Sequence, residues 1–526
     1  MTAETAATGT VLPRMPPAPG ERLDGPSASL RERLSPPMPD DGWRGWLWPI
    51  AIALIAGGLR LHRLGIPAAY VFDETYYARE ATELLEYGVE WDEENDTGGF
   101  VVHPPAGKWA VALGQLVFGD GAFAWRTAAV LAGTLSVLVI ARVARRMTRS
   151  TLLGCVAGLL LALDGLHFVS SRTALLDVFL MFWVVAAFAC LVADRDSSRA
   201  RLAAVASGEP DARGPTAGAG PRLGLRPWRI AAGVCLGLAC ASKWSGLYYV
   251  AAFGMLSVLW DVGARRTAGV RRPWRAALRR DAVPGFASLV GVALLAYLAS
   301  WAGWFASPDG WDRDWASRSE NSGGLASVVV PDALRSLWHY HAEMFDFHEG
   351  LRETHPYQSH PWGWLALARP VSYFYDQPAR GQLGCEVEKC AREVLGVGTP
   401  ALWWAAVGAL FVLAWRWWAY RDWRAGAMLL GVAAGWLPWF VYSERTIFSF
   451  YAVVFVPFLV LAVTLCLGLA LGPPGASMVR RRLGAVIGGS YVLLVLANFV
   501  WLYPVLAARV IPYDDWLARM WFGSWI

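Results

Sequence analysis

The sequence predicts an all-α polytopic membrane protein of about eleven transmembrane helices, with its N-terminus in the cytoplasm and its C-terminus outside the cytoplasm. Of the 526 residues, 56% are hydrophobic and only 17% are charged, which is more apolar surface than a single water-soluble core needs. Apolar stretches close to the ~20 residues of a membrane span recur along the chain. Arginine is concentrated in alternate loops between them.

The chain divides into a tail, two membrane regions and a long loop. Residues 1–41 are rich in Pro, Ala, Ser and Arg, so we expect a disordered cytoplasmic tail, and the first apolar run lies too far in for a signal peptide. Residues 42–305 form an N-terminal transmembrane core, in which a first outward loop (62–124) contains interfacial helices. Residues 306–399 form an extracytoplasmic loop, and 400–526 form the C-terminal transmembrane helices with a short outward tail.

Eleven apolar stretches are predicted to span the membrane. One of them, 152–163, is short, and we expect it to form a tight helical hairpin with its neighbour. The predicted spans are 46–61, 125–143, 152–163, 173–193, 228–241, 245–262, 282–305, 400–415, 425–441, 448–471 and 483–506.

The arginine distribution predicts the orientation of these spans. By the positive-inside rule the arginine-rich loops are cytoplasmic. The loop at 306–399 has 13 acidic and 8 basic residues and hence no inward bias. The net charge of +5 therefore reflects cytoplasmic arginine, and no nucleic-acid partner is expected. The arginine-rich loops are 142–149, 195–229, 265–280, 416–424 and 480–482.

An adjacent acidic pair, Asp73 and Glu74, lies about a dozen residues after the first predicted span, near the outer membrane interface. A carboxylate in such a partly desolvated place has a raised pKa and can act as a general base. The alternative is a structural one, in which Asp73 caps an amphipathic helix and Glu74 lies in its first turn. Spacing alone favours the structural interpretation, but capping does not exclude catalysis.

The same outward loop contains the segment His103-Pro104-Pro105-Ala106-Gly107-Lys108. Two prolines favour an extended entry into a short interfacial helix. The chain has only three lysines, at 108, 243 and 389, among 47 basic residues, which suggests that lysine occurs where a compact point charge is needed. A biased base composition of the gene is the alternative explanation.

Four cations are predicted to lie at the outer membrane boundary, at the depth of lipid phosphates. Charges there are costly, so their default interpretation is functional, and ordinary snorkelling to lipid headgroups is the alternative. We therefore predict a functional role for this set, in which Asp177 could hold Arg172 in position by an ion pair. The four cations are Arg126, Arg172, Lys243 and Arg445.

The long outward loop contains five of the eight histidines, at 339, 341, 348, 355 and 360. His339 and His341 are two residues apart, a spacing that does not place ligands on one helical face, so a metal site is disfavoured. Tyr357 and Trp362 instead suggest a flat platform for a saccharide or a peptide, although aromatic residues are also common at membrane interfaces.

Two of the seven cysteines, Cys385 and Cys390, lie in the outward loop, where an oxidising compartment permits a disulfide. Whether they pair stays open at this point. The other five lie in predicted membrane segments, where cysteine usually behaves as a small apolar residue.

Together these motifs resemble the actinobacterial protein O-mannosyltransferases, relatives of the eukaryotic enzymes in the GT-C class of glycosyltransferases. The likeness spans nearly the whole membrane region, and the acidic pair followed by His-Pro-Pro is its specific part. The matching stretches are FDETYY at 72–77, HPPAGK at 103–108, DGLHFVSSRTALLD at 164–177, SKWSG at 242–246, and HPYQS at 355–359 followed by Pro361-Trp362.

The resemblance implies a GT-C architecture and inverting transfer of mannose from polyprenyl-phosphate-mannose to protein Ser or Thr, without a metal or other cofactor. It implies that Asp73 deprotonates the acceptor hydroxyl, that Glu74 helps to hold the acceptor and that Arg126 lies near the site. His103, Lys108, His355, Tyr357 and Trp362 become candidates for acceptor or sugar binding. Lys243, Arg172 and Arg445 are assigned to the lipid phosphate from their location.

The resemblance also implies unfolded secretory proteins as acceptors in the plasma membrane, with the Sec translocon as a candidate partner. The eukaryotic relatives carry a β-trefoil module in the long outward loop, and the loop here is too short to contain one. Two alternatives stay open: a GT-C transferase whose acceptor is a lipid or cell-wall glycan, and a transporter, which the lack of an evident internal repeat disfavours.

Overall fold

The computed structural model describes residues 30–206 and 220–526. Within these ranges the fold consists of α-helices, several short 3₁₀ and π turns, and two small sheets. The helices are α1 Leu30–Leu34, α2 Arg44–Leu61, α3 Glu74–Glu86, α4 Ala106–Phe118, α5 Ala122–Thr148, α6 Thr151–Ala162, α7 Gly165–Ser170, α8 Leu176–Ala206, α9 Pro227–Ser242, α10 Gly246–Thr267, α11 Pro273–Ala277, α12 Val283–Phe286, α13 Val292–Ser300, α14 Ala302–Ala306, α15 Leu325–Val329, α16 Asp332–Gly350, α17 Pro400–Tyr420, α18 Trp423–Trp436, α19 Val456–Leu471, α20 Met478–Leu506 and α21 Tyr513–Leu517.

Each of the eleven predicted spans coincides with a helix of the structure. By length and composition, six helices can cross a membrane: α5, α8, α10, the continuous run of α11 to α13 (Pro273–Ser300), α17 and α20. Three others, α6, α9 and α19, are apolar but shorter. Helix α8 is the most enclosed of the six, so it forms the centre of the bundle.

The predicted hairpin between α5 and α6 is confirmed. Arg149 adopts a left-handed conformation that ends α5, and the Ser150 hydroxyl then accepts a hydrogen bond from the Leu153 amide and caps α6. Gly154 permits the close approach, because a Cβ there would lie 2.6 Å from the Ala141 carbonyl oxygen.

The prediction of a disordered tail through residue 41 is wrong from residue 30 onward. Helix α1 buries Leu34 against Leu202 and Ala264, near the end of α8 and in α10. The Asp41 carboxylate accepts hydrogen bonds from Arg145 and Thr151. Residues 1–29 of the predicted tail lie outside the described residues.

The all-α prediction also needs correction, because the outward loop and the C-terminal tail together form a three-stranded antiparallel sheet. A short hairpin, β1 (Trp91–Asp92) and β2 (Thr97–Gly98), precedes it in the first outward loop. Strands β3 (Val371–Asp376) and β4 (Cys390–Gly396) pair, and β5 (Ile511–Pro512) from the C-terminal tail adds to β4.

A disulfide between Cys385 and Cys390, whose Cα atoms are 6.0 Å apart, closes the connection between β3 and β4. The sequence did not decide whether these two cysteines pair, and in the structure they form a disulfide. The Trp516 indole Nε1 donates to the Glu393 carboxylate at 2.6 Å, which fastens the tail to the sheet. Loop and tail therefore form one extramembrane unit.

Candidate active site

Asp73 lies at the N-terminal end of α3, directly after a strained residue. Phe72 has φ +49°, a left-handed conformation that costs a non-glycine residue about 1 kcal/mol. Its ring is held by Tyr373, Phe448 and Phe450, with centroids 5.4 to 5.6 Å away. The Asp73 carboxylate makes no capping hydrogen bond to α3, so the side chain is available for another role.

The half-buried Asp73 carboxylate has an environment suited to a base. Burial raises its pKa from 3.8 to about 6, and the nearby Lys243 ammonium limits the rise. The Tyr77 hydroxyl donates a hydrogen bond to it. Asp73 is therefore mostly ionised at neutral pH, yet more basic than an exposed aspartate.

Lys243, in the turn between α9 and α10, supplies positive charge on this side of the protein. Its ammonium lies 3.0 and 3.1 Å from the two Asp177 carboxylate oxygens and 4.3 Å from the centroid of the Tyr451 ring. The prediction that Asp177 pairs with Arg172 is wrong, since Asp177 at the start of α8 holds Lys243 instead.

A small pocket that is open to solvent adjoins this ion pair. Aromatic rings with polar edges of the kind that line its wall suit a sugar, because a ring face packs on a sugar and a hydroxyl bonds to it. The lining includes Asp177, Ser245, Tyr248, Tyr249, Trp439 and Tyr451.

Arg445 and two histidines complete the set of charged and polar side chains around Lys243. The Arg445 guanidinium donates one hydrogen bond to His348 Nδ1 at 2.9 Å, and its Nε has no partner among the described residues. The His103 ring lies 5.2 Å from the His348 ring and 6.1 Å from the Tyr77 ring. Burial, together with the charges of Lys243 and Arg445, holds the pKa of His103 well below its usual range.

Glu74 and Arg126 form a buried scaffold, which corrects their predicted roles in holding the acceptor and the lipid phosphate. Arg126 Nε and one terminal nitrogen donate to the two Glu74 oxygens at 2.8 and 2.7 Å. Its remaining donors bind the backbone carbonyls of Leu64, Pro67 and Ala69. Five hydrogen bonds use all five guanidinium N–H groups and leave none for a phosphate.

Arg172 is also engaged by the protein and does not fit its predicted phosphate role. Its guanidinium donates to the carbonyls of Arg60, His62 and Arg63 at 3.0, 2.6 and 3.1 Å, around the end of α2. Arg126 and Arg172 line a second small pocket. Arg126 has no N–H group left, and both terminal nitrogens of Arg172 bond to backbone carbonyls, so Lys243 and Arg445 stay as the predicted cations for the phosphate.

Lys108 is fully buried and pairs with two carboxylates, so the predicted contact with acceptor or sugar is corrected as well. Its ammonium bonds to Glu90 and lies 3.2 Å from a Glu80 oxygen. Burial lowers the pKa of Lys108, but the two carboxylates outweigh it and raise the pKa overall. The lysine thus joins α4 to α3 and to the segment that follows α3.

The aromatic candidates of the long loop differ in how close they lie to Asp73. His355 packs on Phe72 at 6.0 Å and on Tyr357 at 5.8 Å, and so supports the backbone beside Asp73. Trp362 is 72% exposed and packs on Phe440 at 4.8 Å. Within the described residues, Trp362 has no contact with Asp73 or Lys243.

Sequence reasoning missed Tyr77, Tyr451 and His348 as members of the site. Tyr77 follows Asp73 by one helical turn, and this spacing could have indicated it. His348 was counted among the loop histidines without a role. No pattern in the sequence connects Tyr451 to Lys243, more than 200 positions earlier.

Comparisons with known proteins show the family. The family model described as dolichyl-phosphate-mannose-protein mannosyltransferase matches residues 50–208, and the C-terminal four-TMM region of protein-O-mannosyltransferase matches 333–525. A polyprenol-phosphate-mannose–protein mannosyltransferase of Mycobacterium tuberculosis is 44% identical over 497 residues, 93% of either chain. The Corynebacterium glutamicum protein of that name is 35% identical over 466 residues, 86% of this chain and 88% of its own.

A solved structure supports the fold. The Saccharomyces cerevisiae protein O-mannosyltransferase Pmt1-Pmt2 complex bound to the sugar donor superposes with a TM-score of 0.72 at 15% identity, covering 94% of each chain. The resemblance found in the outward motifs is thereby confirmed: this chain belongs to the family of polyprenol-phosphate-mannose–protein mannosyltransferases.

Proposed function

We propose that the protein transfers mannose from polyprenol-phosphate-mannose to serine or threonine hydroxyls of secreted or membrane proteins. One observation carries the proposal: a carboxylate with a pKa near 6, Asp73, is in electrostatic contact with Lys243 beside an aromatic pocket. The names of the relatives supply the donor and the acceptor class.

The reaction is a single displacement at the anomeric carbon. Asp73 accepts the hydroxyl proton of the acceptor while the hydroxyl oxygen forms a bond to the anomeric carbon of mannose. The bond from that carbon to the phosphate oxygen breaks, and the lipid phosphate leaves with the electron pair. Attack opposite the leaving group inverts the configuration.

The charge that develops on the leaving phosphate needs cations fixed in advance. Lys243 is held by Asp177 and Arg445 by His348, and both act electrostatically on the neighbouring His103. These two cations supply the stabilisation that a divalent metal supplies in other transferases. We accordingly propose a metal-independent reaction, whose rate should not change by more than about twofold in excess EDTA.

We further propose eleven spans in the plasma membrane, a cytoplasmic N-terminus, and an active site and C-terminus on the extracytoplasmic side. The arginine-rich loops support this orientation. The half-buried position of Asp73 favours an extended, unfolded acceptor, because a hydroxyl in a folded domain could not reach it. Delivery of such chains by the Sec translocon is part of the proposal.

Transfer can be tested with membranes that contain the protein, polyprenol-phosphate-mannose labelled in the sugar, and a threonine-rich peptide. Wild-type protein should label the peptide, and Asp73→Asn should lower the rate at least about 100-fold while the protein still inserts. Label found only in lipid or polysaccharide would reject a protein acceptor. A variant that kept more than a tenth of the activity would reject Asp73 as the base.

A further inference from the structure

His348, in the last turns of α16, connects parts of the site that are far apart in sequence. Its ring packs on His103 at 5.2 Å and on Trp244 at 6.0 Å. Trp244 directly follows Lys243. Through Arg445, His348 also reaches the turn that precedes Phe448.

The two ring nitrogens of His348 have fixed and opposite roles. Nε2 lies 2.8 Å from the Val102 carbonyl oxygen, which can only accept, so Nε2 carries the hydrogen. Nδ1 lies 2.9 Å from an Arg445 terminal nitrogen, which can only donate, so Nδ1 offers its lone pair. Both bonds are satisfied by one neutral tautomer, and each would be lost in the other.

We propose that His348 is a positioning residue for the lipid-phosphate site: it orients the Arg445 guanidinium through Nδ1 and is itself fixed by the Val102 carbonyl. This inference rests on the proposed function, because it takes Arg445 as a phosphate ligand. Arg445 has a long side chain on a turn, and without this bond it would sample many rotamers. The terminal N–H groups that do not bond to His348 have no partner among the described residues and can serve the phosphate, whereas Nε is enclosed by protein.

The neutral state of His348 is also consistent with this role. Burial and the adjacent Arg445 charge lower the pKa of His348 to about 4. A protonated ring would turn an N–H toward the guanidinium and repel it. The imidazole therefore acts as a permanent acceptor rather than as a proton carrier.

Three substitutions separate the two hydrogen bonds. His348→Asn places a side-chain oxygen near the position of Nδ1 and keeps the acceptor for Arg445. His348→Gln places an amide near the position of Nε2 and keeps the donor to Val102. His348→Phe keeps the ring packing and loses both bonds.

Steady-state kinetics with polyprenol-phosphate-mannose and a threonine-rich peptide should distinguish these variants. His348→Gln and His348→Phe should raise the KM for the donor about tenfold, the usual worth of a hydrogen bond to a charged group. His348→Asn should stay within about threefold of wild type, and the KM for the peptide should not change. Equal donor KM values for His348→Asn and His348→Phe would overturn the proposal, as would an unchanged donor KM in His348→Gln.

The same substitutions in an Arg445→Met background test whether His348 acts through Arg445. Arg445→Met alone should raise the donor KM, and His348→Gln should then add less than about twofold. A full additional effect would overturn the positioning role. If Arg445→Met leaves the donor KM unchanged, the phosphate assignment and this inference fail together, whereas loss of peptide labelling by wild-type protein would refute the proposed function itself.

Discussion

At the scale of single residues, Asp73 and Glu74 are chemically alike and adjacent, yet their surroundings divide their roles. Both Glu74 oxygens receive hydrogen bonds from Arg126 and from the backbone amides of Val71 and Ala174. Among the described residues, Asp73 interacts with the Tyr77 hydroxyl and, through space, with Lys243 and two other carboxylates. A saturated carboxylate stabilises structure, whereas an under-bonded one can accept a proton.

The pH dependence of the rate should report Asp73. Only the ionised carboxylate can accept a proton, so kcat/KM should rise about tenfold per pH unit below pH 6 and become level above it. The measurement is the rate of peptide labelling between pH 5 and 8. His103→Gln should keep this limb, because the limb is assigned to Asp73, whereas burial and the neighbouring cations hold the pKa of His103 well below its usual range. A flat profile across that range would show that Asp73 is not the titrating base.

Stability should distinguish the two acids as well. Glu74→Gln leaves the buried Arg126 charge uncompensated and should lower the free energy of unfolding by about 3–5 kcal/mol. Asp73→Asn should leave stability unchanged or increase it, because a carboxylate with a raised pKa in the folded state destabilises that state above pH 6. Thermal unfolding in detergent is the measurement. An equal loss in both variants would contradict the scaffold role of Glu74.

At the scale of helices and turns, the end of α2 is held in place by Arg172. Helix α2 ends at Leu61, and its terminal carbonyls have no partner within the helix. The Arg172 guanidinium binds four carbonyls there and carries the positive charge that the negative end of the helix dipole favours. This contact fixes where the chain leaves α2 and enters the segment that leads to Asp73.

Arg172→Gln should therefore act on stability and not on donor binding. We expect a loss of about 1–3 kcal/mol in unfolding free energy, because buried carbonyls lose a charged donor, with a donor KM within about twofold of wild type. Arg445→Met is the matched variant and should show the opposite pattern. A raised donor KM in Arg172→Gln with unchanged thermal stability would return Arg172 to the phosphate site.

Helix positions could be predicted from sequence because the length of each apolar stretch indicates a span. The Asp73 motif could be predicted because it is a local run of residues. The roles of the cations could not, because a sequence shows that Arg126 or Lys108 is costly to bury but does not show that Glu74 or Glu90 neutralises it. The strands β3 and β4 lie in a loop whose pairing with residue 511 is long-range. Pairing of that kind depends on tertiary contacts rather than on local propensity.

At the scale of the whole molecule, the contacts of the C-terminal tail restrict the topology. Strand β5 pairs with β4, and the Arg369 guanidinium lies 3.0 Å from an Ile526 oxygen. The tail and the loop at 306–399 must therefore lie on one side of the membrane. Arginine counts predict that this loop lies outside, so the C-terminus is predicted to lie outside too.

Cysteine labelling of intact cells tests this arrangement. A membrane-impermeant maleimide should label Glu320→Cys in the long loop and a cysteine appended after Ile526, because both are expected outside. Gly475→Cys, exposed in the turn between α19 and α20, should be labelled only after permeabilisation, because the arginines at 480–482 place this turn in the cytoplasm. The parent chain, with five free cysteines in or beside membrane helices, measures the background. Labelling of Gly475→Cys in intact cells would reverse the orientation and place Asp73 on the wrong side for an acceptor outside the cytoplasm.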